Sequence, residues 1–181
     1  FVVIGTLLTL VMQSSSAATA VTLVMLFEGW ISFPLAAAMV LGENIGTTVT
    51  ANLAAMVGNV HAKRAARFHL IFNLIGVAWM LAAIYPVMHL IDMVVQNFST
   101  APVSILSDAP EARPNATLGL SLFHTSFNIL NVILLFAFIP YIVRFIERIL
   151  PETAGGADDF RLKYISAGVM TSPALALEQA Q

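Results

Sequence analysis

The residues of this chain best suited to chemistry are two short polar clusters, each enclosed by apolar sequence. The first covers residues 13–16 and the second residues 43–48. Amide, hydroxyl and freed carbonyl oxygens suit a hard cation such as Na⁺, while backbone N–H groups at a helix start suit an anion. Hydroxyl side chains also permit close helix packing, and a single Ser or Thr by itself would be interpreted in that way. Polar clusters at membrane depth are costly and usually functional, so the two together predict a binding site. The candidate substrate- and ion-binding residues are Gln13, Ser14, Ser15, Ser16, Asn44, Thr47 and Thr48.

A second set of candidates comes from a short repeat, His-x-x-Phe-Asn, at residues 69–73 and 124–128. In each copy the His and the Asn are four residues apart and share one face of a helix. They either hydrogen-bond neighbouring helices or line a substrate path. Glu43 has three alternatives: it ligates Na⁺, takes a proton, or faces away at the membrane rim. The supporting candidates are Glu43, His69, Asn73, His124 and Asn128.

The same residue types raise the question of an enzyme, because serine and histidine could form a hydrolase site. A Gly-x-Ser-x-Gly motif is absent, and no Asp lies in an apolar run where it could orient a histidine. Metal binding by histidines would lack a thiolate partner and any carboxylate except Glu43. The sequence therefore predicts a protein that is not an enzyme and that needs no cofactor besides a coupling ion.

The elements that must position these residues are membrane helices. The chain has 181 residues, of which 59% are hydrophobic and 10% charged, against about 25% charged in globular proteins. Residues 1–27, 68–91 and 114–143 carry no charge, and each run can cross a hydrocarbon layer that needs about 20 helical residues. A net charge of −2 and the absence of Cys argue against a nucleic-acid partner and a disulfide scaffold. We predict an all-α integral membrane protein.

Two of these segments have a polar interruption. The arms on either side of residues 13–16 span only about 18 Å each at about 1.5 Å per residue. Residues 1–27 therefore form either one tilted helix with a polar waist or a re-entrant hairpin with its tip at Gln13–Ser16. In the next segment the Gly42–Thr48 stretch is poor helix material, which predicts a broken helix, 34–41 and 47–58, with an unwound middle. Two further transmembrane helices are predicted at 68–91 and 116–143, joined by an extramembrane loop at 92–113.

The basic residues predict the orientation of the helices. Lys63, Arg64 and Arg67 precede one predicted span, and Arg144 and Arg148 follow the other. The positive-inside bias places residues 61–67 and the C-terminus in the cytoplasm and the loop outside. We expect a membrane domain at 1–150, a linker at 151–159, and the truncated start of a cytoplasmic helical domain at 160–181. Because Phe1 lies inside an apolar run and is not Met, we interpret the chain as a piece of a longer protein.

Two motifs resemble the paired signature of the sodium/phosphate cotransporter family. They are Gln13-Ser14-Ser15-Ser16-Ala17 and, about 30 residues later, Gly42-x-Asn44-Ile45-Gly46-Thr47-Thr48; His69-x-x-Phe72-Asn73 also fits. Members of that family have two homologous halves in inverted topology, each with one such serine segment. The chain resembles the second repeat, so the first repeat of the same protein would be its missing partner. The tail from Phe160 resembles the entry into the PhoU-like helical domain that many bacterial members carry.

The resemblance implies Na⁺-dependent transport of inorganic phosphate by a multi-pass protein of the bacterial inner membrane. It places the serine segment in a re-entrant hairpin and implies Na⁺ ligands at Ser15, Ser16, Asn44 and Thr47. Animal members have a small residue at the position of Glu43, so Glu43 departs from the family pattern. Two alternatives stay open: a phosphate-linked membrane sensor that signals through the PhoU-like tail, and Na⁺-coupled symport of another anion.

Overall fold

The computed structural model describes residues 1–152 and is helical, without strands, over that range. Two stretches are long and apolar enough to cross a membrane, Val60–Ala82 and Pro110–Ile149. Over residues 1–152 the predictions of all-α secondary structure and of two long apolar helices are therefore confirmed. The helices are α1 Val2–Met12, α2 Ser15–Phe27, α3 Phe33–Ala55, α4 Val60–Ala82, α5 Ile84–Phe98, α6 Arg113–Leu135 and α7 Ile139–Ile149, with 3₁₀ turns at Pro110–Ala112 and Phe136–Phe138.

Helix α3 is the centre of the molecule and packs against α1, α2, α4 and α6. Its first half is small and apolar, and Ala36, Ala37 and Val40 are fully buried. Small residues let neighbouring backbones approach closely. The resulting van der Waals contacts favour helix association in a membrane, where lipid tails are as apolar as the side chains and the hydrophobic effect contributes little. The candidate residues of the second polar cluster therefore lie on the most enclosed helix of the described residues.

The first apolar run is broken within its predicted polar centre. Gln13 ends α1 in the left-handed conformation, with φ 53° and ψ 21°, and its N–H donates to the Thr9 carbonyl at 2.7 Å. Ser14 is extended and caps α2, where its Oγ accepts a hydrogen bond from the Ala17 N–H at 3.3 Å. The alternative of one continuous tilted helix is therefore wrong.

The predicted break in the second segment is also wrong, because α3 is continuous from Phe33 to Ala55. Gly42 and Gly46 face α1 one turn apart. A Cβ added at Gly42 would overlap the Val2 carbonyl oxygen, and one added at Gly46 would lie 2.6 Å from the Thr9 Cβ. The glycines therefore serve close packing of two helices, as in other Gly-x-x-x-Gly pairs, and do not unwind the backbone.

The predicted span 68–91 crosses a helix boundary. Helix α4 begins at Val60, capped by Asn59, whose Oδ1 accepts from the Ala62 N–H at 2.9 Å. It ends at Ala82, and a separate helix α5 continues to Phe98. The predicted loop at 92–113 is correspondingly shorter, because residues 92–98 are helical.

The remaining loop is fastened to the helices on both sides. Asp92 of α5 accepts the Ile105 N–H at 2.8 Å and the Ser104 hydroxyl at 2.9 Å. Asn115 of α6 donates to the Ala101 carbonyl at 2.8 Å and to the Val103 carbonyl at 2.9 Å. These bonds satisfy backbone groups that a buried loop would otherwise leave unpaired.

The predicted run 116–143 is likewise interrupted, by the 3₁₀ turn Phe136–Phe138 that separates α6 from α7. Helix α7 returns to the start of α4, where Arg64 Nε donates to the Leu150 carbonyl at 3.0 Å. The two basic segments therefore lie at the same end of the molecule. Their cytoplasmic side stays a prediction, as does the division at residue 150. The predicted helical domain at 160–181 and the linker beyond Glu152 lie outside the described residues.

Candidate ion and anion site

The first polar cluster forms the start of α2. Gln13, Ser14 and Ser16 are exposed and Ser15 is half-buried. The first N–H groups of a helix have no partner within the helix, and here only that of Ala17 is capped by a side chain. The Ser15 and Ser16 N–H groups and three hydroxyls are therefore available at the positive end of a helix, which is an arrangement that suits an anion.

The second polar cluster bonds within its own helix. Asn44 Nδ2 donates to the Val40 carbonyl at 3.0 Å, and Thr47 Oγ1 to the Glu43 carbonyl at 3.0 Å. Thr48 is buried, and its hydroxyl donates to the Ile45 carbonyl at 2.7 Å. These bonds use the hydrogens of the side chains but leave oxygen lone pairs, which are what a hard cation requires.

Glu43 is buried, with 1% of its surface exposed, so the alternative of a rim position is wrong. Its carboxylate faces α2, where the Thr22 hydroxyl donates to Oε1 at 2.6 Å and the Thr19 hydroxyl lies 2.6 Å from Oε2. Thr19 Oγ1 is also 2.9 Å from the Ser15 carbonyl oxygen. Through Thr19 the structure brings the first turn of α2 and the middle of α3 together.

The two His-x-x-Phe-Asn motifs make their hydrogen bonds inside their own helices. Asn73 donates to the His69 carbonyl at 3.0 Å, and Asn128 donates to the His124 carbonyl at 2.9 Å. Neither Asn shows the hydrogen bond to a neighbouring helix that one alternative expected. His69 and Asn128 are exposed and Asn73 is buried. His124, which is half-buried, lies close enough to Glu43 for their charges to interact.

Sequence reasoning left three contributors out of the candidate set. Thr19 and Thr22 lie three residues apart on one face of α2, a spacing that could have identified them. A hydrogen bond that joins α4 to α6 is donated by Trp79 Nε1 to Asn131 Oδ1 at 3.0 Å, next to Gly76. Asn131 is 2% exposed, and an amide side chain within an apolar run is the sequence signal that could have identified it.

The donor set favours a monovalent cation over a transition metal. Within residues 1–152 no group of three His, Cys, Asp or Glu side chains could hold a metal ion. The ligands at hand are hydroxyl, amide and carbonyl oxygens with one carboxylate, which suit hard cations. The arrangement can thus present oxygens to a cation and N–H groups to an anion a short distance apart.

Comparison with known proteins agrees with this chemistry. The sequence model of the Na⁺/Pi-cotransporter family matches residues 2–106. Over 177 residues the chain is 27% identical to YjbB of Salmonella typhimurium, a protein named for a proposed role in inorganic phosphate export. That match covers 98% of this chain and 29% of YjbB. Over 80 residues, 42% of this chain and 13% of the relative, it is 41% identical to the sodium-dependent phosphate transport protein 2C of Homo sapiens. No solved structure matches the chain.

Proposed function

The chain belongs to the Na⁺/Pi-cotransporter family, and on that premise we propose that the protein containing it moves inorganic phosphate across a membrane together with Na⁺. The names of two relatives, a proposed phosphate export protein and a sodium-dependent phosphate transport protein, support this assignment. The chain spans 29% of the length of the first relative. We therefore also propose that the transporter has further segments, among them the first repeat of an inverted pair.

The observation that carries the proposal is the break at Gln13–Ser14 beside α3. It opens the N-terminus of α2 within an apolar run that has no Lys or Arg. Broken helices of this kind present N–H groups to anionic substrates at the midplane of secondary transporters. We assign phosphate to Gln13, Ser14, Ser15 and Ser16, with Na⁺ held by Ser15, Ser16, Asn44 and Thr47. In this arrangement α1 and α2 are the arms of a re-entrant hairpin.

Uptake of ³²P-phosphate into proteoliposomes that contain the full-length protein tests the assignment. We expect uptake with an inward Na⁺ gradient and none when choline replaces Na⁺. A Gln13→Ala, Ser15→Ala variant should lose most of the uptake. Ser121→Ala is the matched control, because the Ser121 hydroxyl is exposed and donates to the Thr117 carbonyl of its own helix. Full activity in the double variant would overturn the site.

The direction of transport needs its own test, because YjbB is named for phosphate export. Vesicles preloaded with phosphate should release it when the Na⁺ gradient is directed outward. Saturable phosphate binding without flux in either direction would instead identify a sensor. Na⁺-driven uptake of labelled sulfate or of a labelled carboxylate, with no phosphate flux, would identify a transporter of another anion.

A further inference from the structure

We infer that Glu43, Thr19 and Thr22 form a site for a monovalent cation, Na⁺, at the contact between α2 and α3. The site is additional to the serine segment and to Asn44 and Thr47. Only the role of the ion in driving transport rests on the proposed function. Cation binding itself can be measured without transport.

The geometry brings four oxygens from two helices together. Glu43 Oε1 lies 2.6 Å from Thr22 Oγ1, and Glu43 Oε2 lies 2.6 Å from Thr19 Oγ1. Thr22 is fully buried and Glu43 is 1% exposed. A carboxylate with two hydroxyls is an oxygen donor set typical of hard cations. The residues come from separate helices, so a bound ion would also join α2 to α3.

The count of hydrogens supports a cation at this contact. Thr19 Oγ1 lies 2.9 Å from the Ser15 carbonyl oxygen as well as 2.6 Å from Glu43 Oε2. A hydroxyl has one hydrogen and can donate it to only one of these acceptors. When the hydrogen goes to Ser15 and Glu43 is ionised, the Thr19 and Glu43 oxygens face each other with no hydrogen between them. A cation ligated by both oxygens, which would move apart to admit it, replaces this unfavourable contact with a pair of ligand bonds.

The charge balance points the same way. A buried carboxylate without a counter-charge is strongly unfavourable in an apolar segment. Among the described residues the ion pairs join His61 and Arg64 of α4 to Glu152, which follows α7, and they do not include Glu43. Helices α1 and α2 contain no ionisable side chain. The basic residues of α4 lie near the far end of α3, where Arg67 bonds Asn52 at 3.0 Å. On α6, His124 lies close enough to Glu43 for their charges to interact.

Thermal unfolding of the purified full-length protein measures the cation directly. Ligands that bind the folded state raise its unfolding temperature by mass action. We expect Na⁺ to stabilise the wild-type protein more than choline does at equal ionic strength. In Glu43→Gln, which keeps the shape but removes the charge, the Na⁺ concentration for half of the effect should rise about tenfold or more. Glu28→Gln is the matched control, since Glu28 is an exposed acid at the other end of α2.

A second pair of variants covers the case in which Glu43→Gln does not fold. Thr22→Val removes the buried hydroxyl with little change in shape and should weaken the Na⁺ response several-fold, because the site loses one oxygen ligand. Thr22→Ser keeps the hydroxyl and should retain the response. A merely structural role of the hydroxyl would change the unfolding temperature equally in Na⁺ and in choline.

The outcomes separate this inference from the proposed function. An unchanged Na⁺ response in Glu43→Gln, or in Thr22→Val where the former does not fold, would overturn the cation site even if the wild-type protein transports phosphate. A Glu43-dependent Na⁺ response without phosphate flux would support the site and reject Na⁺-coupled phosphate transport. Where both hold, the half-saturating Na⁺ concentration for uptake should rise in Glu43→Gln by the same factor as in unfolding.

Discussion

At the scale of single residues, the contact between α1 and α3 depends on the absence of side chains. Gly5 lies against the Met39 carbonyl, and Gly42 lies against the Val2 carbonyl. The Thr6 hydroxyl is within 3.0 Å of the Gly42 carbonyl and 2.9 Å of the Val2 carbonyl. The obstacle to a larger residue is therefore backbone, which cannot rotate away as a side chain can. The positions of α1 and of the α1–α2 break follow from these glycines.

Substitution of Gly42 by Ala should destabilise the protein, because the new Cβ overlaps a backbone oxygen of α1. We expect a loss of about 3 kcal/mol or more, at the upper end of overpacking effects. Unfolding of the purified protein by heat or denaturant measures it. Gly119→Ala is the control, since the atoms nearest to its Cβ would be side-chain atoms of Ile105 and Phe33, at 3.1 to 3.2 Å, which can shift. Equal effects of the two substitutions would contradict the backbone explanation.

The Trp79–Asn131 hydrogen bond should couple α4 to α6 energetically. Hydrogen bonds between membrane helices contribute about 0.6 kcal/mol on average and at most about 1.7 kcal/mol. A double-mutant cycle with Trp79→Phe and Asn131→Leu should give a coupling free energy in this range, measured as unfolding free energies. Each single variant removes one partner and leaves the other polar group without its hydrogen bond, while the double variant removes both groups. Strict additivity would show that the bond does not stabilise the helix pair.

At the scale of elements, the α1–α2 break is the feature on which the candidate site depends. A non-glycine residue in the left-handed conformation is uncommon and costs about 1–2 kcal/mol relative to the right-handed one. Gln13 takes this conformation at the end of α1, and Ser14 then caps α2. The strained turn allows the chain to start a second helix at once, with its N-terminus open.

Gln13→Gly and Gln13→Ala together separate the side chain of this turn from its backbone. Glycine tolerates positive φ, so Gln13→Gly should be at least as stable as wild type, and Gln13→Ala less stable than Gln13→Gly by about 1 kcal/mol. If the amide contacts substrate, both variants should lose phosphate uptake to a similar degree. Uptake that follows stability instead would mean that only the backbone of Gln13 matters.

The loop after α5 should be held by Asp92. Its carboxylate accepts the Ile105 N–H, and hydrogen bonds to charged groups contribute about 1.5–3 kcal/mol. In Asp92→Ala the amide hydrogen of Ile105 should therefore exchange with solvent about tenfold faster or more. Hydrogen–deuterium exchange of peptides that cover residues 99–109 provides the measurement. Asp108→Ala, which removes an exposed acid of the same loop, should leave the exchange unchanged.

At the scale of the whole molecule, the start of α4 and the end of α7 lie together. Besides the Arg64–Leu150 bond, His61 Nε2 and Glu152 Oε1 are 3.6 Å apart, and Arg64 is 4.0 Å from the other Glu152 oxygen. Pairs this exposed contribute little to stability. Their value is geometric: they place both basic segments on one side of any membrane that contains α4 and α6.

Cysteine labelling can determine the sides, and the chain has no cysteine of its own. In a cysteine-free form of the full-length protein, Lys63→Cys and Arg148→Cys should react with a membrane-impermeant maleimide only from the cytoplasm. Asp108→Cys, in the loop between α5 and α6, should react only from outside. Labelling of Lys63→Cys and Arg148→Cys from opposite sides would contradict the packing of α7 on α4.

Much of the fold could be predicted from the sequence because hydrophobicity and charge act locally. The charge-free runs indicated membrane helices, and the polar residues at 13–16 marked the break between α1 and α2. The hydrogen-bonding side chains of Ser14 and its neighbours favour a helix start over a helix interior. The resemblance of the two polar motifs to one family rested on the same local signals and agrees with the family match.

The tertiary structure decided what local preference could not. Gly42–Thr48 has poor helix propensity, yet α3 is continuous because α1 packs against its glycines and the polar side chains bond its own carbonyls. The burial of Glu43 and its contacts with Thr19 and Thr22 depend on how α2 lies on α3, over a separation of 21 to 24 residues. The sequence by itself determined which residues are polar inside the membrane segments, and only the packing of helices decided which of them meet.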